Sequence, residues 1–527
     1  MNPDQHASPD QPDADQLDKR ALLAALPARI DAIPRTVAAR TPDAPALREN
    51  GRTLSYAALV AEIDACAALL HGRGVRRGDR VLLVSENCIA QVALIFAAST
   101  LGAWIVNLNP RLSAPEVDGI QAHCGARLAL YTAAVSAEAA AHAARAGAQQ
   151  HGDLMIGPLN EGCAPEPADS DADTDTVAAL IYTTGTTGQP KGVMLSHRNL
   201  LFVAAVSSRL RGLVPDDRAW GVLPISHVYG LTSVLLGTLC AGACLQLAAR
   251  FTPEAMLAAI QNDGLSIVQG VPAMYARLLE LAAASSLPAP VASTLRFAYA
   301  GGSPLDPALK RRVEALLGLP LHNGYGLTEA APTVSQTRLD APRADTSVGQ
   351  PIPGVALSIV DKAGREVAAG DAGELWVRGP NVMRGYYREG ALSAAALRPG
   401  GWLNTGDMAR RDPDGALFIV GRTRELIIRS GFNVFPLEVE TVLNAHPGVL
   451  QSAVVGKAAP DGNEEVVAFV QPAAGQALAA EQLQDFAAER LAPYKRPTRI
   501  VFMKALPAAA TGKVLKHALK EMAAALP

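Results

Sequence analysis

No two of the six cysteines stand as CxxC, basic residues do not outnumber acidic ones, and no segment repeats at a fixed period. Each absence closes off a class of protein. Cys66, Cys88, Cys124, Cys163, Cys240 and Cys244 are scattered, and Cys240/Cys244 has no companion ligand set. Buried thiols in a reducing, cytoplasmic compartment are therefore expected, with no metal cluster or disulfide framework. A formal charge of −3 leaves no basic excess to call for nucleic acid or an anionic membrane. The opening "MNPDQHASPDQPDADQLDKR" lacks the basic and apolar regions of an export signal and reads, over residues 1–25, as a disordered tail. Between Ala219 and Ala249 charge is absent except at His227. Pro224, Ser226, several glycines, Thr232, Ser233 and Gln246 interrupt that run, which fits buried strand, loop and helix better than a membrane span.

What is present is enough apolar sequence, 49% of 527 residues, to build more than one core. "SYAALVAEIDACAALLHGRG" spaces its apolar residues as an amphipathic helix and stops at glycine. "DRVLLVS" reads as a buried strand, "CIAQVALIFAASTLGA" as a helix and "WIVNLN" as a strand, an alternation that predicts parallel α/β structure. "EGCAPEPADSDADTD" reads as an exposed loop. "VAALIYTTG", "LSIVQGVPAMYARLLELAA" and "LRFAYAGGSPLDPALKRRVEALL" each restart the pattern with a strand. From about Val355, "ALSIVD", "GELWVRG" and "ALFIVGR" are short strands between Gly/Asp turns, as in a small antiparallel or barrel-like region. After Arg422, "LEVETVLNAH", "LQSAVVGK", "EEVVAFVQP" and "EQLQDFAAERL" carry helix and strand signals of their own. The predicted fold is α/β, with an N-terminal domain over 26–422, including the small barrel-like β region, and a small α+β domain over 423–527.

In "YTTGTTGQPKGVMLSHRNL" (Tyr182–Leu200) a strand runs into six consecutive Thr and Gly residues, with Lys191 close behind and then a helix opening. Backbone N–H groups and hydroxyls in such a turn suit phosphate oxygens; an ordinary surface turn is the alternative. The G-x-x-x-x-G-K-[ST] spelling is absent, because Pro190 precedes the lysine and the glycine follows it. In "NGYGLTEA", Tyr325 between two glycines offers a face to a flat base, Thr328 a hydroxyl to phosphate and Glu329 a hard oxygen to Mg²⁺. Asp407 in "TGDMARRDPDGALFIVGR" suits either a turn or two ribose hydroxyls. Lys513 in "PAAATGKVLKHALK" would, standing alone, be a solvated surface charge.

Taken in order, "YTTGTTGQPKGV", "NGYGLTEA", "WLNTGDMARRDPDGALFIVGRTRELI", "SGFNVFPLEVE" and "TGKVLK" resemble the motifs of the adenylate-forming enzymes. That family includes acyl-CoA ligases, firefly luciferase and nonribosomal adenylation domains, and the likeness covers essentially the whole folded chain. The resemblance implies that Thr183, Thr184, Gly185, Thr186, Thr187, Gly188 and Lys191 hold the β- and γ-phosphates of ATP. It sets Gly301, Gly302 and Ser303 along the adenine, with Asn323, Gly324, Tyr325 and Gly326 packing Tyr325 onto it. Thr328 then meets the α-phosphate, Glu329 binds Mg²⁺ with Thr184, and Asp407 takes the ribose hydroxyls with Ile419 and Arg422 beside it. Lys513 becomes the catalytic lysine, touching both the carboxylate and the α-phosphate in a water-poor site. Arg424 matches a hinge position where Asp or Lys is usual, and Arg429, Ser430, Gly431 and Phe432 line the thiol's tunnel after the C-terminal domain has swung. Lys495, Arg496 and Arg499 suit either CoA phosphates or a solvated basic edge.

"LPISHVYGLTSVL" resembles the segment that walls the acyl pocket. By that resemblance His227 gates the route between carboxylate and thiol, and Tyr229 and Ser233 face the acyl group. Pro332 and Thr333 close another side, while Gly301 and Gly326 leave room. Small and apolar neighbours imply an uncharged aromatic or medium-chain acid, and the pattern resembles 4-coumarate ligases. The segment shows no arginine for a second carboxylate and no acid for an amino group. The implied reaction is carboxylic acid plus ATP to acyl-AMP and pyrophosphate, then coenzyme A to acyl-CoA and AMP, in a monomer or homodimer. Loading of a separate carrier protein, a luciferase-like oxygenase and a non-catalytic nucleotide-binding protein remain open alternatives. Intact Thr184, Glu329, Asp407 and Lys513 speak against the last of these.

Overall fold

The run "RVLLV" is apolar on both faces, and it lies at the centre of an eight-stranded sheet. The computed structural model describes residues 23–167, 175–184, 190–291, 293–429, 432–459, 463–473, 475–476, 478–508 and 514–526. Arg80–Val84 pairs in parallel with Trp104–Leu108 on one side and Leu128–Tyr131 on the other. Its side chains alternate as a pleated strand must. Val81 and Leu83 enter the main core, while Leu82 and Val84 face a second core under the helices Ala114–Cys124 and Ala137–Arg145.

A nine-stranded sheet contributes the other wall of the main core, with Ile267–Gly270, Phe297–Ala300 and Leu321–Gly326 running parallel at its centre. The predicted helices Tyr56–Gly72 and Ile89–Thr100 both form, capped by Ser55 and Cys88. Ile89–Thr100 and His197–Leu210 are buried nearly all round and belong to the core that both sheets share. The apolar stretch after Ala219 is the expected buried strand, loop and helix, with Tyr229–Leu236 wound as a π-helix. Among the described residues no helix is long and apolar enough to cross a membrane.

One strand escapes the sequence reading. "PKGVMLS" is no loop before a helix but the strand Pro190–Ser196, closing a hairpin with Val177–Thr184. Its other edge takes Gly385–Tyr386, so a residue near 386 comes to lie beside Lys191. Pro and Gly conceal the strand, whereas its buried Val193 and Leu195 secure it.

The short strands after Val355 form the predicted antiparallel sheet, five strands in all. The C-terminal pattern also folds as expected: Val449–Ala458 and Glu464–Pro472 pair, helices Pro436–Asn444 and Ala480–Ala488 cover one face, and Lys516–Ala524 covers the other. The loop after Glu161 is partly pinned, since Arg80 donates to Ala164 O at 2.8 Å and Glu166 N to Gly78 O at 2.9 Å. Residues 1–22 of the expected tail lie outside the described residues; 23–25 are helical, and Leu23 packs on the main core. All six cysteines are free, and burial pushes the Cys66, Cys88 and Cys124 thiols up to about 11.

Candidate active site

Strand Leu321–Gly326 delivers Tyr325, and the 3₁₀ turn Thr328–Ala330 that follows delivers Thr328 and Glu329. The phenol of Tyr325 donates to Asp407 Oδ2 at 2.5 Å, and Arg422 Nε meets Asp407 Oδ1 at 3.0 Å. Asp407 and Arg422 face each other across two antiparallel strands, so the sheet register itself sets this pair. Burial, and then the Asp407 charge, push the Tyr325 hydroxyl well above the usual tyrosine range. Burial works against the charge of Arg422, but Asp407, Glu425, Tyr325 and Glu329 outweigh it and hold the guanidinium above its ordinary value. The result is a fixed carboxylate between a phenol and a cation. Ile419 lies on the Arg422 strand and packs on the main core. The Asn323 amide is occupied by the carbonyls of Thr346 and Ser347 at 3.1 and 3.2 Å. That residue therefore braces the strand rather than pointing a free amide into the site.

Glu329 heads a second chain. Tyr386 donates to Glu329 Oε1 at 2.8 Å, and Lys191 Nζ stands 5.4 Å from the centre of the Tyr386 ring. Burial first, then the Glu329 charge, raise the Tyr386 hydroxyl, while Arg424 pulls it down. Arg424, the residue expected at the hinge, is thus near enough for its charge to act on this pair. Thr183 sits opposite Lys191 in the hairpin. Gly185, Thr186, Thr187, Gly188, Ser430, Gly431 and Lys513, and the side chain of Thr184, lie outside the described residues.

On the side expected to hold the acyl group, a buried amide holds the loop that carries His227. Asn87 Nδ2 donates to Gly221 O and Leu223 O, each at 2.9 Å, and Asn87 Oδ1 accepts from Ile225 N at 2.9 Å. His227 is half-buried, with Nδ1 accepting from Tyr229 N at 3.2 Å. Ser233 Oγ and Ser207 Oγ each lie 3.4 Å from Thr333 Oγ1, which joins three buried hydroxyls. The room expected at Gly301 and Gly326 is taken by the protein's own atoms. A methyl on Gly301 would sit 3.1 Å from the Tyr299 ring and 3.3 Å from that of Tyr229, and one on Gly326 would fall 2.3 Å from Pro332 O. These glycines serve close approach. Gly302, beside Ser303, is exposed with φ +83°.

The described parts of the expected tunnel, Arg429 and Phe432, make their contacts with the segment around Tyr494. Phe432 is 54% exposed and stacks on Tyr494 at 4.4 Å, while Arg429 donates to Arg496 O at 2.8 Å. Lys495 pairs with Glu438 at 2.5 Å, and Arg496 donates to Leu491 O and Ala488 O. Arg499 lies 3.8 Å from Glu465. Each of the three basic residues therefore has a partner within the domain. Lys516 bridges Glu425 at 3.1 Å and Glu440 at 2.8 Å, so the last helix anchors the chain immediately after Arg424.

Tyr386, Asn87 and Tyr299 escape the sequence reading. None belongs to a short motif, and each reaches the site through strand pairing or a buried side chain.

Residues 34–387 match the family model described as AMP-binding enzyme, and residues 438–513 the model described as AMP-binding enzyme C-terminal domain. A feruloyl-CoA synthase of Amycolatopsis sp is 36% identical over 479 residues, 90% of this chain and 95% of that protein. The 4-coumarate–CoA ligase 2 of Oryza sativa subsp. japonica is 34% identical over 93% of this chain and 91% of its own length. The crystal structure of ATP-bound MatB from Rhodopseudomonas palustris superposes with a TM-score of 0.83 at 30% identity, covering 94% of this chain and 99% of that one.

Proposed function

The chain belongs to the family of AMP-binding enzymes, and on that premise we propose that it is an ATP-dependent ligase joining an aromatic carboxylic acid to coenzyme A. One carboxylate oxygen attacks the α-phosphorus of ATP, and the bond to pyrophosphate breaks, leaving acyl-AMP. The CoA thiol, losing its proton, then attacks the acyl carbon and AMP departs. The observation that carries this reading is the pair of chains Tyr325–Asp407–Arg422 and Glu329–Tyr386–Lys191, which start from one strand and the turn after it.

Asp407, held from both sides, keeps two lone pairs oriented for ribose hydroxyls without reorganising when nucleotide enters. Tyr325, fixed at its hydroxyl, keeps its ring plane for the adenine. Lys191, over Tyr386, lends positive charge to the hairpin that closes on the phosphates. Glu329 gives one oxygen to Tyr386, and among the described residues no group of three His, Cys, Asp or Glu gathers. A lone carboxylate fits Mg²⁺ that takes its other ligands from phosphate and water. When bound, that ion neutralises charge on the leaving pyrophosphate. Lys513, from its motif, brings a cation to the attacking carboxylate and the α-phosphate on a C-terminal domain, residues 423–527, that turns about Arg424. We assign the enzyme to the cytoplasm as a monomer or homodimer.

The test is product analysis. Incubation with ATP, CoA and a panel of cinnamic, benzoic and medium-chain acids should yield acyl-CoA and AMP. Loading of a phosphopantetheine carrier protein with no product from free CoA would reassign the acceptor.

A further inference from the structure

Lys191 lies on the middle strand of a three-stranded ribbon, Val177–Thr184, Pro190–Ser196 and Gly385–Tyr386. Directly paired residues share a face of such a ribbon, and successive residues alternate between faces. Thr183 opposes Lys191 and Tyr386 opposes Val193, so one face carries Thr183, Lys191 and Tyr386. That is the face the proposed function turns towards the ATP phosphates. Tyr182 opposes Gly192 on the reverse face, and Tyr387 donates its N–H to Gly192 O at 2.8 Å. The rings of Tyr182 and Tyr387 both pack into the second core, away from the phosphate face.

His123, in the last turn of the helix Ala114–Cys124, meets both rings there. Its Nδ1 lies 2.7 Å from the Tyr182 hydroxyl. Its ring stands edge-on to Tyr182 and to Tyr387, with centres 5.7 Å apart in each case. Its carbonyl accepts from Arg388 Nη1 at 3.0 Å, and the Arg388 guanidinium covers the Tyr387 ring at 4.8 Å. Gly192 makes the close packing possible, since a methyl there would sit 3.1 Å from the Tyr182 ring. One side chain thus grips the chain on both sides of the strand that carries Lys191.

We propose that His123 is a positioning residue for ATP. Bonded to Tyr182 and wedged against Tyr387, it holds the ribbon from behind, so that Thr183, Lys191 and Tyr386 present a preset face to the phosphates. The proposal rests on the ligase reading above. Contacts made before the nucleotide arrives reduce the ordering that binding must supply, and that gain appears as affinity for ATP. A histidine that only fills the second core would stabilise the fold and leave that affinity unchanged.

The experiment uses three substitutions. His123→Phe keeps an edge-on ring and removes Nδ1, Tyr182→Phe removes the hydroxyl, and His123→Asn sets an amide near the place of Nδ1. These, the double variant His123→Phe/Tyr182→Phe and wild type are compared for Kd of MgATP by calorimetry, KM for an aromatic acid and melting temperature. Turnover of the acid by wild type tests the ligase reading by itself; the ratio of ATP Kd values tests the brace. Each Phe variant should bind ATP about three- to tenfold more weakly, and the double variant no more weakly than either, because all three lose the same bond. His123→Asn should recover part of the loss, with KM for the acid little changed throughout. Unchanged ATP affinity in folded His123→Phe or Tyr182→Phe, equal losses for ATP and acid, or additive losses in the double variant overturn the proposal.

Discussion

In the proposed function Tyr325 does two things at once: its ring serves the base, and its hydroxyl, which donates to Asp407, orients that carboxylate. Tyr325→Phe keeps the first and deletes the second, so the Asp407 carboxylate loses one charge-assisted hydrogen bond worth about 1.5–3 kcal/mol. Roughly a tenfold or greater rise in KM for ATP is expected, with KM for the acid little changed. Steady-state kinetics against each substrate in turn check this. The role proposed for Tyr325 comes from the sequence, because the residue sits in a motif. Its bond to Asp407 is not, because the partner lies eighty-two residues away on another sheet. Tyr386 was missed for the same physical reason: a lone tyrosine becomes meaningful only once strand Gly385–Tyr386 pairs beside Lys191.

At the scale of elements, the loop before His227 depends on Asn87 at the end of the Arg80–Val84 strand, in the other large sheet. Asn87→Ala strands two carbonyls and the Ile225 N–H in the interior, at a cost of about 1–3 kcal/mol per unsatisfied group. A lower melting temperature together with a raised KM for the acid is expected. Asn87→Asp keeps the acceptor for Ile225 N but loses both donors, and should fall between the two. Equal acid KM in all three proteins would contradict a positioning role. Most helices and parallel strands were legible here, since amphipathic spacing, caps and unbroken apolar runs are local signals. Strand Pro190–Ser196 was not: its Pro-Lys-Gly start reads as a turn, and only pairing on both edges makes it a strand. Nor does sequence spacing announce the wide π turns of Tyr229–Leu236, which set Tyr229 and Ser233 towards the wall.

At the scale of the molecule, two buried imidazoles couple stability to pH. Burial, aided by Arg29 and Arg77, pushes His197 down to about 3, and burial with Lys310 pushes His322 to about 4. Both rings stay neutral in the folded protein and take up a proton on unfolding below about pH 6.5. The unfolded chain then binds more protons, so stability is full above about pH 6.5 and falls as pH drops towards 4. Each histidine contributes a slope of about 1.4 kcal/mol per pH unit in that window. Denaturant unfolding at pH 7, 6, 5 and 4.5 should show the decline. His197→Asn with His322→Asn, each amide oxygen standing in for Nδ1, should flatten it.

The whole molecule also carries the central claim: a chain from two large sheets to a small C-terminal domain, built to cut ATP between its α- and β-phosphates and to hold acyl-AMP. The most direct measurement is exchange of labelled pyrophosphate into ATP with an aromatic acid present and CoA absent. The account predicts exchange that requires the acid and proceeds without CoA. Release of ADP and orthophosphate in place of AMP and pyrophosphate, or exchange that appears only when CoA is added, would contradict it.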